Sequence, residues 1–345
     1  MSLGFKQKIA LSASLFLGLS LLIFGVFSYY SSNTSLRHEI ETIKLAQTHL
    51  LKTEIEAWLE KKINVLSATS DITATLPELS KTQVTPYLKI AKIHTNALQT
   101  FIGLEDGNMF YDNYDKKPKE GYDPRKRGWY MQAKAANGPI VTNVYIGSST
   151  GQPMISLAVP VYVNGSFIGV IANDILLEEV IEKINSTKFE GGYAFATDNE
   201  GKLNFHPNKE VSNKKLSELD PSLKGIDTAV MSNASGIFEY QLNGAQKLLA
   251  FSKMNNGWNI FVTIDEDVAF KNIYDFLTTL LITGILMIII SLLLMRFILQ
   301  AQFRPLSHLN QLIENLASSE GDLTKRLKVT SHDELGDISH NINLF

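Results

Sequence analysis

Two long apolar runs decide what this chain of 345 residues can become. Ile9–Tyr30 is almost uninterrupted apolar sequence with no charged residue, and Lys6 and Lys8 stand just before it. Phe276–Met295 is the second run, about the length that crosses a bilayer core, and Arg296 and Arg304 follow it. Positive charge before the first run and after the second predicts that both flanks are cytoplasmic. Residues 31–275 then face outward, into the periplasm in a Gram-negative cell. A signal peptide is the competing reading of the first run. However, Phe27, Tyr29 and Tyr30 stand where a cleavage site would carry small residues, so an uncleaved anchor is expected.

Composition adds mainly exclusions. The net charge is −3 and charged residues make up 19% of the chain, which offers nothing to nucleic acid. The absence of cysteine rules out disulfides, thiol catalysis and cysteine-based metal sites. The histidines (38, 49, 94, 206, 308, 332 and 340) are scattered, and none is spaced with carboxylates as a metal site or triad. Gly-rich phosphate loops are missing too. Neither an enzyme nor a cofactor is expected. Lys116-Lys117-Pro118-Lys119 reads as a solvated basic loop.

Between the runs the chain predicts an α+β body. Leu36, Ile40, Ile43, Leu50, Ile55, Trp58, Leu59, Ile63 and Leu66 form a helical stripe over Ser31–Ser70, without an internal Pro or Gly. Val84–Thr100 reads as a shorter helix begun by Thr85-Pro86. Strands are predicted at Thr100–Leu104, Met109–Tyr111, Ile140–Tyr145, Met154–Tyr162 and Gly165–Asp174, with helices at Trp129–Ala136 and Leu176–Ile184. The pattern then recurs in a smaller unit. It has strands at Tyr193–Thr197, Lys202–His206, Gly236–Tyr240, Lys247–Lys253 and Trp258–Ile264, with turns at Asp198–Gly201 and Asn243-Gly244. Past the second run, Pro305–Leu316 and a segment opened by Asp333-Glu334-Leu335-Gly336 read as two short helices able to pack with a second copy. The second helix is half-built at Phe345, so the chain is expected to be part of a longer protein.

One stretch carries chemistry: Gly121–Tyr130, Gly-Tyr-Asp-Pro-Arg-Lys-Arg-Gly-Trp-Tyr. Guanidinium and indole N–H groups donate without accepting, which suits a small carboxylate. A solvated basic turn beside two core aromatics is the plain alternative.

At this point the chain resembles the sensory half of a bacterial chemoreceptor, a methyl-accepting chemotaxis protein. Residues 33–270 resemble a double Cache domain. Residues 296–345 resemble an incomplete HAMP linker, on Pro305, Gly321-Asp322-Leu323-Thr324-Lys325-Arg326-Leu327 and Asp333-Glu334-Leu335-Gly336. The resemblance implies a cytoplasmic N-terminus at 1–8, membrane helices at 9–30 and 276–295, and a periplasmic sensor at 31–275. Within the sensor it implies a long helix at 31–70, a membrane-distal ligand-binding module at 71–187 and a membrane-proximal module at 188–270. It also implies a homodimer that signals through cytoplasmic domains to a chemotaxis coupling protein and a histidine kinase.

The amino-acid-binding pattern of such domains is met in order by Tyr122, Arg127, Trp129, Tyr130, Tyr145 and Asp174. An α-amino acid carries a carboxylate and an ammonium on one carbon, so its receptor needs donors and an acceptor a few ångströms apart. Arg127 and the Trp129 indole, with Tyr122, suit the carboxylate. Asp174, with the hydroxyls of Tyr130 and Tyr145, suits the ammonium. Against this, Arg127 could pair with Asp123 or Glu120, and Asp174 could cap the helix near Leu176. Asp198 and His206-Pro207 in the second module read as framework with no ligand set, and that module is expected to transmit the signal. The rivals are the input half of a histidine kinase or diguanylate cyclase, and a receptor for an amine, a carboxylate or a periplasmic binding protein.

Overall fold

A computed structural model describes residues 5–242, 244–317 and 334–344. Arg37–Lys271 forms one compact unit, and the flanking helical segments form another. The chain enters on helix α1 (Phe5–Ala74) and continues through α2 (Lys81–Thr95), β1 (Gln99–Leu104), β2 (Met109–Tyr111), α3 (Gly128–Ala136), β3 (Ile140–Val141), β4 (Tyr145–Ile146), β5 (Pro153–Val163), β6 (Ser166–Leu176) and α4 (Leu177–Ile184). Then come β7 (Gly192–Thr197), α5 (Leu216–Leu219), α6 (Lys224–Ser232), β8 (Ser235–Leu242), β9 (Ala245–Lys253), β10 (Asn259–Asp265) and α7 (Glu266–Ala269). The last described elements are α8 (Lys271–Ala317) and α9 (Glu334–Asn343).

Two antiparallel sheets share one strand order. The first runs β2-β1-β6-β5-β3, with β4 also on β5, and the second runs β7-β10-β9-β8. In each, the opening strand lies beside the closing one, so each module is sewn shut by its own ends. The recurrence read in the sequence is therefore a repeat of topology.

Helix α1 is the shared spine of the first unit. Leu51, Ile55, Leu59 and Leu66 lie in one cluster with Ile102, Ile155 and Ile171 of the first sheet, Ala196 and Ile260 of the second, and Trp258 just before β10. A single core thus spans both modules. Ile43 and Leu50, counted into the apolar stripe from sequence, face outward instead. Lys62 is buried: its ammonium donates to the Thr95 carbonyl and, at 2.9 Å, to Glu179 of α4. It also lies 4.8 Å from the Trp58 ring centroid, so this one charge ties α1 to the ends of α2 and α4.

Three local expectations change. Helix α2 begins earlier than predicted, with Pro86 inside it, and ends at Asn96 in the left-handed conformation. Pro86 has no N–H for the Thr82 carbonyl, which takes the Tyr114 hydroxyl at 3.4 Å. The strand expected at 140–145 is split into β3 and β4. The strand expected at 202–206 is reduced to one bridge, Ala196–Phe205. There the buried Asp198 accepts from the backbone N–H groups of Glu200 and Lys202 and from the Asn204 amide, which curls the chain out of extended form. The short helices α5 and α6 were not expected, and they cover the second sheet's Phe195, Phe251 and Phe261.

Among the described residues, two segments, Leu11–Ala74 and Lys271–Ala301, contain a stretch long and apolar enough to cross a membrane. Leu15, Phe16, Phe24 and Phe27 on the first, and Leu281, Leu286 and Leu293 on the second, point their side chains outward, a surface suited to lipid. Helix α8 continues through Pro305 to Ala317, so the helix expected from Pro305 belongs to it. Gly321–Leu327, Asp333 and Asn243 lie outside the described residues.

Candidate functional site

The site grows from one strand position. Asp174 lies near the end of β6, opposite Gln99 on β1 and Ser156 on β5. That register aims both neighbours at its carboxylate. The Gln99 amide donates at 2.5 Å and the Ser156 hydroxyl at 2.6 Å. The Tyr145 hydroxyl on β4 adds a third bond at 2.9 Å. All three donors are neutral. Asp174 is 3% exposed, and burial pushes its carboxyl above the ordinary range while the three bonds pull the other way. The expected alternative, a helix cap, does not occur: α4 starts at Leu177 with no side-chain cap. The preceding Asn173 points to the other face, where it accepts from Thr100 and donates to Thr95.

The cationic side is built by the turn that opens α3. Asp123 caps a short 3-10 turn at Pro124–Lys126, and Arg127 follows as the N-cap of α3 in extended conformation. Its carbonyl accepts from Tyr130 and Met131, which fixes its backbone. Asp123 pairs with Arg125, at 3.0 Å from Nε and 3.1 Å from Nη2. Arg127 forms no ion pair with a described residue, and its guanidinium lies 5.4 Å from the Tyr122 ring centroid. Trp129 seats edge-on against Phe101 at 5.0 Å. Gly103 on β1 makes the seat possible, because a Cβ there would stand 2.7 Å from Pro124 Cβ and 2.9 Å from Trp129 Cη2.

These residues share one pocket, lined by Gln99, Phe101, Tyr111, Tyr122, Arg127, Trp129, Tyr145 and Asp174, with Met109 and Gly147–Ser149 completing it. The enclosed space is about 20 Å³, room for one water-sized sphere. Beyond Trp129 and Tyr145 a second hollow of about 200 Å³ shares Arg127, Trp129 and Tyr145 in its wall. Burial raises the Tyr145, Tyr111 and Tyr122 hydroxyls, so each stays a protonated donor at neutral pH. The loop that supplies Gly147–Ser149 to the lining is tied to the loop before Tyr122 by a bond from the Lys119 ammonium to the Ser148 carbonyl.

Five of the six residues singled out from sequence, Tyr122, Arg127, Trp129, Tyr145 and Asp174, therefore line one hollow. Tyr130 does not. It is buried on the core side, and its hydroxyl donates to Glu105 at 2.8 Å, away from Asp174. Gln99 and Ser156 were not foreseen. A larger hollow of about 770 Å³ lies in the second module between Asp220, Tyr240 and Gly244, but it is widely open, and its charged lining groups, Asp220 and Glu239, are both acidic. It offers no cation for a carboxylate. Of these three hollows, the one between Arg127 and Asp174 brings opposed charges together.

The chain is similar to several known proteins. Residues 31–273 match the Cache domain model, and residues 297–345 match the HAMP domain model. The methyl-accepting chemotaxis protein PscA of Pseudomonas syringae pv. tomato is 31% identical over 100% of this chain, which spans 54% of that protein. The chain thus spans about half the length of the curated relatives it matches. The ligand-binding domain of the Pseudomonas aeruginosa amino acid chemoreceptor PctB, solved with L-Arg, is 27% identical and superposes with a TM-score of 0.56 over 68% of this chain and 95% of that one. The ligand-binding domain of the Pseudomonas fluorescens chemoreceptor CtaA, solved with L-serine, is 26% identical with a TM-score of 0.59, over 67% of this chain and 99% of that one.

Proposed function

The chain belongs to the Cache-domain family, and on that footing we propose that it is the sensory part of a transmembrane chemoreceptor that binds an L-amino acid. Arg127 takes the ligand carboxylate through its two-pronged guanidinium, with the Trp129 indole and Tyr122 hydroxyl beside it. Asp174 takes the ammonium, helped by Tyr145. What carries the reading is the state of the two charges. Arg127 has no carboxylate partner among the described residues, Asp174 has only neutral donors, and both face one hollow. A buried carboxylate with no cation bonded to it is costly, and a zwitterion neutralises both groups at once. A plain amine would leave Arg127 unmatched.

Signalling requires that the ligand favour one conformation over another. Strand β6 runs from Asp174 directly into α4, which packs on β7 of the second sheet. Strand β10 of that sheet leads through α7 into the membrane-spanning helix α8. Closure of the pocket is passed along this path to HAMP and then to cytoplasmic domains, where a coupling protein and a histidine kinase are engaged. The receptor sits as a homodimer in the inner membrane with its sensor in the periplasm, and it performs no catalysis itself.

The test is a thermal-shift scan of the standard L-amino acids on the full chain in detergent. At least one is expected to raise Tm in a dose-dependent way, as mass action requires. No stabilisation by any of them, or binding unchanged in Arg127→Ala, would overturn the proposal.

A further inference from the structure

The basic run at 116–119 reads in sequence as a solvated turn, and from Asn113 to Glu120 every residue is exposed except Lys116. Lys116 folds inward. Its ammonium donates to the Gln99 side-chain carbonyl and lies 4.9 Å from the Tyr111 ring centroid. Gln99 and Tyr111 both line the amino-acid pocket, and Gln99 gives its other end to Asp174. Burial lowers the Lys116 pKa, and the fields of Asp112 and Asp174 oppose that shift. Lys116 is thus a partly desolvated cation held by a neutral amide, directly behind Gln99 and Tyr111 of the pocket lining.

The charges around the pocket do not balance for a simple zwitterion. Asp112 is already matched by Lys92 at 3.4 Å. The exposed charges of the covering loop, Asp115, Lys117, Lys119 and Glu120, cancel. That leaves Arg127 and Lys116 against Asp174. The α-carboxylate and α-ammonium of a ligand satisfy Arg127 and Asp174, and one positive charge remains.

We propose that Lys116 selects a carboxylate on the ligand side chain, so that the site prefers dicarboxylic α-amino acids of the aspartate and glutamate type. This rests on the amino-acid reading above. A side-chain carboxylate replaces the Gln99 oxygen as the partner of the ammonium and completes the charge match, whereas an amide of the same shape does not.

The experiment is calorimetric titration of the full chain in lipid nanodiscs with L-glutamate, L-aspartate, L-glutamine, L-asparagine and L-alanine. At least one acid is expected to bind roughly tenfold to a hundredfold more tightly than its own amide, the range for a hydrogen bond to a charged group. In Lys116→Met that ratio should fall to about threefold or less, and in Lys116→Arg it should survive. Lys116→Gln serves the same purpose as Lys116→Met if the latter fails to fold. Equal or tighter binding of the amides by the unaltered chain, or an acid preference that persists in Lys116→Met, overturns the inference. Stronger binding of acids and amides alike in Lys116→Met also overturns it, because Lys116 would then be a stand-in for the ligand ammonium. If neutral amino acids bind with no acid preference and lose binding in Arg127→Ala, the inference fails and the amino-acid reading stands. If no amino acid binds, both fail.

Discussion

Asp123 grips Arg125 with both carboxylate oxygens, at 3.0 Å and 3.1 Å. Two arginines lie within reach of this turn in sequence, and the pairing makes them unequal. Arg125 is consumed at the surface, while Arg127 is left to face the pocket.

Arg127→Ala should therefore weaken amino-acid binding by roughly a hundredfold, and Arg127→Lys should recover only part of it, since a point charge cannot replace a two-pronged donor. Arg125→Ala should leave both affinity and Tm unchanged. Titration calorimetry and a melting curve on the three variants check this, and equal losses in Arg125→Ala and Arg127→Ala would sink it.

Asp174 gives a pH signature with two opposite signs. Burial holds its folded pKa above the ordinary 3.8. Between those two values the folded state keeps a proton that the unfolded chain has lost, so the stability of the unliganded protein falls as pH rises across that window. Ligand affinity runs the other way, because the ammonium needs the ionised carboxylate, and it should drop as pH falls through the raised folded value. Asp174→Asn should abolish both dependences and most of the binding. Melting curves and titrations over a pH series read the two slopes separately.

Gly103→Ala tests the seat of Trp129. The added methyl meets Pro124 and Trp129 inside contact distance, so the variant should lose about 1–3 kcal/mol of stability, the usual range for overpacking. Binding should weaken as well, as the indole leaves its place. Denaturant unfolding and tryptophan emission report the two effects, and an unchanged spectrum with full affinity would contradict the geometry.

Lys62→Met removes the charge that joins α1, α2 and α4 while keeping much of the side-chain volume. A loss of roughly 1–3 kcal/mol is expected, as for hydrogen bonds made by a charged group. Glu179→Gln should cost less, because that side chain is 29% exposed against 7% for Lys62. Equal losses in the two variants would show that the bond to the Thr95 carbonyl contributes little.

Much of the site was legible because its residues are set by local spacing. Arg127 and Trp129 are two residues apart at a helix start, and Asp174 ends a strand whose apolar alternation is plain. Gln99 and Ser156 were not legible, since what brings them to Asp174 is register across strands, over separations of 75 and 18 residues. Tyr130 lies away from the hollow for a helical reason. The step of one residue from Trp129 turns its side chain about a third of the way round α3, toward Glu105. Lys116 was hidden by its neighbours, because a run of exposed cations gives no sign that one of them turns in. In the fold, the two sheets followed from turn and strand patterns, whereas the curl at 202–206 depended on Asp198 taking donors that a strand would have given to its neighbour.

The narrowness of the pocket has a kinetic consequence. On the amino-acid reading, about 20 Å³ is less than the ligand needs, so binding requires the pocket to widen, and the Lys119 bond to the Ser148 carbonyl is the contact expected to give. Uptake is then gated. At low concentration its rate rises with ligand, but it levels off at the speed of loop opening, below the diffusional ceiling. Release waits on the same event. A sensor that works in this way carries its own clock, and the shortest change in its surroundings that it can follow is set by a surface loop rather than by how often ligand arrives.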